Sequence, residues 1–145
     1  MIPTLARSDR LLLVVSFACF ATAGLATGAV DAVAPTLGAT ALAVAGVYCV
    51  ATYAARVSRR TLAHLALAFW VGFLAVASVH AVGLETVATT VPGDTGTLVA
   101  SLTAITWATL FIAVAATVFL AFREYGATAG ADDGVLEGES EYSTR

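Results

Sequence analysis

Four long apolar stretches occupy most of this chain of 145 residues. Each contains the ~20 residues that a helix needs to cross the hydrocarbon core of a bilayer. Little sequence remains outside them, so we expect a single domain over residues 1–125. The sequence therefore predicts an all-α fold, a four-helix transmembrane bundle, with spans over residues 11–31, 36–56, 61–84 and 97–122.

The arginines predict how this bundle is threaded. When the chain is passed through a bilayer, all of its arginines fall on one side. Cytoplasmic segments of membrane proteins are enriched in positive residues. We therefore expect an antiparallel, multi-pass protein of the cell membrane with the N-terminus, the central loop and the C-terminus in the cytoplasm. These residues are Arg7, Arg10, Arg56, Arg59, Arg60, Arg123 and Arg145.

The composition agrees with a membrane protein, because 59% of the residues are hydrophobic and 12% are charged. Soluble domains average about 45–50% and about 25%. The chain has no lysine, its helices are rich in alanine, valine and threonine, and its acids concentrate after Arg123. In composition it resembles the small four-helix integral membrane proteins of halophilic archaea. Residues 126–145, rich in glycine, alanine and acid, predict a disordered acidic cytoplasmic tail.

The first stretch has a second interpretation. Arg7 and Arg10, the apolar run after them and the small residues at 21–23 resemble the three regions of a secretory signal peptide. The apolar run continues to Val30, however, about twice the usual length of a signal core. We expect a retained helix. Cleavage would leave the other three helices in the same orientation.

Small residues predict where the helices touch, since transmembrane helices associate through close packing. The small-xxx-small spacing occurs at Gly24 and Gly28 and again at Ala68 and Gly72. In the fourth span, a stripe of small and hydroxyl-bearing residues predicts a seam facing protein, and the larger residues opposite it are expected to face lipid. The seam comprises Thr103, Thr106, Thr109, Ala113, Thr117 and Ala121, and the lipid side comprises Phe111, Val118, Phe119 and Phe122.

The threonines of that stripe could instead line a polar pathway. A threonine hydroxyl can also bond the carbonyl of its own preceding turn. We therefore favour the packing interpretation.

Polar residues near the outer boundary form the candidate ion site: Asp31, His80, Glu85 and Asp94. Carboxylates with an imidazole can hold a divalent cation. Their spacing fixes no shared geometry, and acidic turns are ordinary outside a membrane. We therefore expect no bound metal and no other cofactor.

The remaining histidine and the cysteines point to no redox site. His64 and His80 lie about 24 Å apart along one helix and about 160° around it, so one protomer cannot clamp a haem between them. Cys19 and Cys49 lie at similar depths in consecutive spans, so contact is possible. A buried cysteine otherwise behaves as a small hydrophobe.

No carboxylate or arginine lies in the middle third of any span, where coupled transporters usually keep one. No catalytic or phosphate-loop signature occurs, and no basic patch suits nucleic acid. The sequence favours a non-catalytic accessory subunit, scaffold or assembly factor in contact with lipid and with a membrane-protein partner or a second copy. The alternative is a small oligomeric transporter or channel, which would need a polar cavity at mid-depth. A membrane enzyme or redox carrier would need a bound prosthetic group.

Overall fold

The computed structural model describes residues 7–26, 33–83, 86, 89–90 and 92–142, with the backbone alone for residues 128–142. The long helices of these residues are α1 (Arg7–Ala26), α2 (Val33–Arg56), α3 (Arg59–Val82) and α4 (Thr95–Tyr142). Each of the first three, and Thr95–Ala127 of α4, is long and apolar enough to cross a membrane. The prediction of an all-helical chain with four such helices is confirmed.

Polar side chains mark the starts of α3 and α4. Ser58 Oγ accepts a hydrogen bond from the Thr61 backbone N–H at 3.2 Å. Asp94 Oδ2 accepts from the Thr97 backbone N–H at 2.8 Å and from Thr97 Oγ1 at 2.7 Å. The first N–H groups of a helix have no partner within it, so both side chains act as N-caps.

The last helix, α4, is the centre of the bundle. It packs against all three other helices, α1 also packs against α2, and the main contact of α3 is with α4. Ala108, Ile112, Ala113 and Ala116 of α4 are fully buried. The small side chains of the three alanines allow the neighbouring helices to approach α4 closely.

Aromatic rings fill the junction between α1 and α4. The fully buried Phe20 stacks on Phe111 with ring centroids 5.2 Å apart, and Trp107 stacks on Phe111 at 5.6 Å. The prediction that Phe111 faces lipid is therefore wrong, because Phe20 provides an aromatic partner inside the bundle. Phe119 also packs against the core, whereas Phe122 is 68% exposed.

Two glycines permit the closest helix approaches. A Cβ placed on Gly24 would lie 2.5 Å from Cβ of Trp107, and one placed on Gly46 would lie 2.8 Å from Cε1 of Phe20. Both distances are shorter than van der Waals contact, so neither position can carry a side chain without movement of its neighbour. The buried Ser16 Oγ also donates a 3.1 Å hydrogen bond to the Gly46 carbonyl, which joins α1 to α2.

The second predicted small-residue pair lies on the outside. Ala68 is exposed, and a Cβ on Gly72 would meet no atom within 4 Å among the described residues. The expectation of an internal seam at Ala68 and Gly72 is therefore wrong for this bundle. The reason is that α3 contacts the core through another face, which includes Leu62 and Ala66. Gly28 lies outside the described residues.

The hydroxyls of the predicted α4 stripe are bonded within their own helix. Thr106 donates to the Leu102 carbonyl at 2.8 Å, Thr109 to that of Ile105 at 2.8 Å, and Thr117 to that of Ala113 at 2.7 Å. Thr109 and Ala113 are buried and Thr106 is half-buried, but Thr117 and Ala121 are exposed. In the middle of α4, protein contacts thus cover a broader arc than the predicted stripe. At the end of the stripe, Thr117 still accepts a hydrogen bond from Trp70, whereas Ala121 is exposed.

The helical backbone of α4 continues to Tyr142, past the predicted end of the span at residue 122. Residues 126–142 are therefore helical where the composition predicts a disordered extension. Extending an existing helix costs far less than nucleating one, and the alanines and glutamates here favour the helix although the glycines oppose it.

Candidate functional site

The bundle gathers most of its charge at one end. Arg56 is the last residue of α2, and Arg59 and Arg60 are the first residues of α3. Arg123 lies near the end of the apolar part of α4, Thr95–Ala127. Ion pairs and hydrogen bonds bring these segments and the start of α1 together. We call this region the arginine end. It includes six arginines among the described residues: Arg7, Arg10, Arg56, Arg59, Arg60 and Arg123.

Arg123 ties α4 to the end of α2. Its Nη1 donates to the Ala54 carbonyl at 3.0 Å and to the Val57 carbonyl at 2.8 Å. The last carbonyls of a helix lack partners within it, and a cation there also complements the helix dipole. Arg123 therefore caps α2 from a helix nearly 70 residues further along the chain, as the sequence separations of 69 and 66 show.

Two acids contribute to the arginine end. Asp9 Oδ1 lies 3.7 Å from Arg56 Nη1 and joins α1 to α2, and Glu124 forms an ion pair with Arg59, which joins α4 to α3. The Arg56 side chain is 50% exposed and that of Glu124 is 61% exposed. Solvent weakens such pairs, so they orient side chains more than they stabilise the fold.

An open cleft of about 480 Å³ lies between α3 and α4 at the arginine end. Arg59, Arg60 and Glu124 provide its charged lining, and Ala63 and Leu120 provide its apolar lining. The apolar residues lie one helical turn deeper in the bundle than the charged ones, about 5 Å by the rise of a helix. The cleft therefore has a cationic mouth and an apolar floor.

A buried hydroxyl lies behind the arginine end. Tyr53 is fully buried, and its Oη has no hydrogen-bond partner among the described residues. Sequence reasoning missed both Tyr53 and Asp9, the acid that pairs with Arg56. A lone acid between Arg7 and Arg10 and a tyrosine one turn before Arg56 were the available signals.

The candidate ion site at the other end is not assembled in the described residues. Asp31 and Glu85 lie outside them. The Asp94 carboxylate is engaged by Thr97, and His80 Nδ1 lies 3.2 Å from the Val76 carbonyl. In the part of the chain that the structure describes, no group of three or more histidine, cysteine or acidic side chains could hold a metal ion.

The hydrogen bonds from Thr97, first from its hydroxyl and then from its backbone N–H, lower the pKa of the Asp94 carboxyl below its usual value. Both bonds favour the charged form. Asp94 is therefore a helix cap that stays ionised at lower pH than an ordinary aspartate.

The two cysteines are free thiols, and both are half-buried. His64 and His80 are both exposed, near opposite ends of α3. This arrangement matches their spacing in the sequence and brings neither histidine to the cysteines.

Comparisons with known proteins add no relative. No family model, no curated protein and no solved structure matches the chain. The candidate function therefore rests on the geometry of this chain.

Proposed function

We propose that the chain is a non-catalytic integral membrane protein that acts as an accessory subunit, scaffold or assembly factor. The observation that carries this proposal is the packing at mid-depth. Phe20, Val50, Ala108 and Ile112 are fully buried and form one apolar cluster. A transporter needs polar space at that level, whereas a scaffold can be solid throughout.

The arginine end supports the proposed topology. We infer an antiparallel bundle in the cell membrane with both termini in the cytoplasm, because the positive residues that favour the cytoplasmic side cluster there. Glycine and proline turns with Asp94 then lie outside. The lysine-free composition is compatible with a halophilic host.

Single cysteines at Thr90 and at Ser140, in a background without Cys19 and Cys49, test this topology. A membrane-impermeant maleimide should label residue 90 on intact cells, and residue 140 only after the cells are opened. Labelling of residue 140 on intact cells would overturn the orientation.

An accessory role requires a surface for a partner, and α3 offers one. Its main contact within the bundle is with α4, and Ala68 and Gly72 face away from that contact. Outward small-xxx-small pairs allow the backbone of a second helix to approach closely. We therefore expect a membrane-protein partner, or a second copy of this chain, to pack on this face.

The experiment compares tagged wild type with Gly72→Leu and Gly38→Leu, each purified from its native membranes in a gentle detergent. A Cβ at either glycine would meet no atom within 4 Å among the described residues, so both variants should fold. Wild type and Gly38→Leu should elute with a stoichiometric membrane-protein partner or as a defined oligomer, and Gly72→Leu should elute without it.

Proteoliposomes of the purified chain separate the two candidate functions. Ion and small-solute flux should equal that of empty liposomes. Saturable flux, or a wild-type chain that elutes alone as a monomer, would overturn the scaffold proposal.

A further inference from the structure

The cleft between α3 and α4 carries more positive charge than the described chain neutralises. Among the described side chains, the arginine end has six arginines and two carboxylates, and the cleft itself is lined by two of these arginines and by Glu124. Within the described residues, Glu124 pairs with Arg59, whereas Arg60 is exposed and pairs with no carboxylate. An anion in the cleft would therefore meet a net positive mouth.

The start of α3 strengthens this preference. Arg59 and Arg60 occupy its first turn, which contains no acidic residue. The N–H groups at a helix start carry partial positive charge, so cations there are unfavourable and anions are stabilised. The two arginines thus add to a potential that the helix itself already makes positive.

The apolar floor of the cleft indicates which kind of anion would bind there. Ala63 and Leu120 line it one turn below the charged residues. A free inorganic anion gains nothing from such a surface. A molecule with an anionic head and an apolar chain satisfies both parts, and basic clefts between helices at the cytoplasmic surface suit lipid head groups.

We propose that this cleft binds the phosphate head group of an anionic phospholipid. Arg60 and Arg59 contact the phosphate, and an acyl chain follows Ala63 and Leu120 toward the membrane interior. The carboxylate of Glu124 competes with the phosphate for Arg59. The inference rests on the proposed membrane placement and is independent of the scaffold role.

The test measures lipid binding to the purified full chain by native mass spectrometry, with phosphatidylglycerol or with phosphatidylcholine of identical acyl chains. Wild type should retain phosphatidylglycerol preferentially. Arg60→Gln should weaken that binding about fivefold, the effect expected for one interfacial arginine. Arg10→Gln removes the same charge from the same end outside the cleft, so it should have a smaller effect.

Glu124→Gln should change the affinity for phosphatidylglycerol in the opposite direction. Removal of its carboxylate frees Arg59, so phosphatidylglycerol should bind more tightly than to wild type. Equal losses for Arg60→Gln and Arg10→Gln would mean diffuse attraction and would overturn the site. Displacement of the lipid by inorganic phosphate at equal concentration would also overturn it, because the cleft would then recognise a free anion.

The result is independent of the proposed partner, since the measurement uses the purified chain alone. A wild-type chain that elutes without a partner but retains lipid selectivity would contradict only the scaffold role. A wild-type chain that elutes with a partner but shows no lipid selectivity would contradict only the lipid site.

Discussion

The indole Nε1 of Trp70 donates a 3.1 Å hydrogen bond to Oγ1 of Thr117, and this bond joins α3 to α4. The main contact of α3 is with α4, so the pair lies at the interface that holds α3 in place. Thr117 Oγ1 uses its own proton on the Ala113 carbonyl, which leaves the oxygen free to accept from the indole.

Trp70→Phe should therefore destabilise the bundle by about 1 kcal/mol, the size typical of a hydrogen bond between transmembrane helices plus some lost packing. Thr117→Val removes the acceptor. In the Thr117→Val background the hydrogen-bond part of the Trp70→Phe effect should vanish. Reversible unfolding in detergent of wild type, the two single variants and the double variant measures this energy. Strictly additive losses would mean that the bond contributes nothing.

Gly24→Leu and Gly72→Leu should differ sharply, although both glycines belong to small-xxx-small pairs. Leucine at Gly24 would drive a side chain into Trp107, where even a Cβ would lie 2.5 Å away, and overpacking of this kind costs about 1–3 kcal/mol or more. Leucine at Gly72 enters open space. Thermal unfolding of the two variants in detergent, away from any partner, distinguishes them. Equal melting temperatures would contradict the contact between α1 and α4.

Tyr53→Phe should leave stability unchanged or raise it slightly. The hydroxyl is buried with no partner among the described residues, and an unsatisfied buried polar group costs about 1–3 kcal/mol. Tyr53→Ala is the control, since deletion of the whole buried ring should cost about 3–5 kcal/mol. Detergent unfolding curves give both values. A clear loss in Tyr53→Phe would reveal a bonded water or another partner at Oη.

Asp94 should make the start of α4 sensitive to acid. Its pKa is lowered in the folded chain, so its stabilisation is present above the unfolded pKa of about 3.9 and is lost as the pH falls through the lower folded value. Asp94→Asn keeps a capping side chain without the titration. Melting temperatures between about pH 6 and about pH 2 should fall less steeply in this variant than in wild type. If the melting temperatures of the two proteins fell in parallel with pH, Asp94 would not contribute to the loss of stability in acid.

Four apolar helices were predictable because the length and hydrophobicity of each run do not depend on its neighbours. Which helices pack against one another was not predictable. Gly24 and Gly72 have the same spacing signal, yet Gly24 lies against Trp107 and Gly72 faces outward. In hydrocarbon, a large apolar residue is equally at home against lipid or protein, so Phe111 gave no sign that it would stack on Phe20.

The positive charge of the candidate site was predictable from the sequence, but the contacts between its residues were not. Positive residues at the ends of the spans placed Arg56, Arg59 and Arg123 near one another. The carbonyls that Arg123 caps are set by how the helices are arranged in space. That arrangement cannot be deduced from the sequence pattern. Asp9 and Glu124 were overlooked because an isolated acid beside arginines has many possible partners.

The central position of α4 has a consequence for biosynthesis. The helix against which the other three pack is also the last of the four in chain order, so it leaves the ribosome after them. α1 and α2 can pair early, through Ser16 and Gly46, but α3 has no main neighbour until α4 has been synthesised. Until then the face of α3 that packs on α4 stays uncovered, so the bundle closes only when its fourth helix arrives.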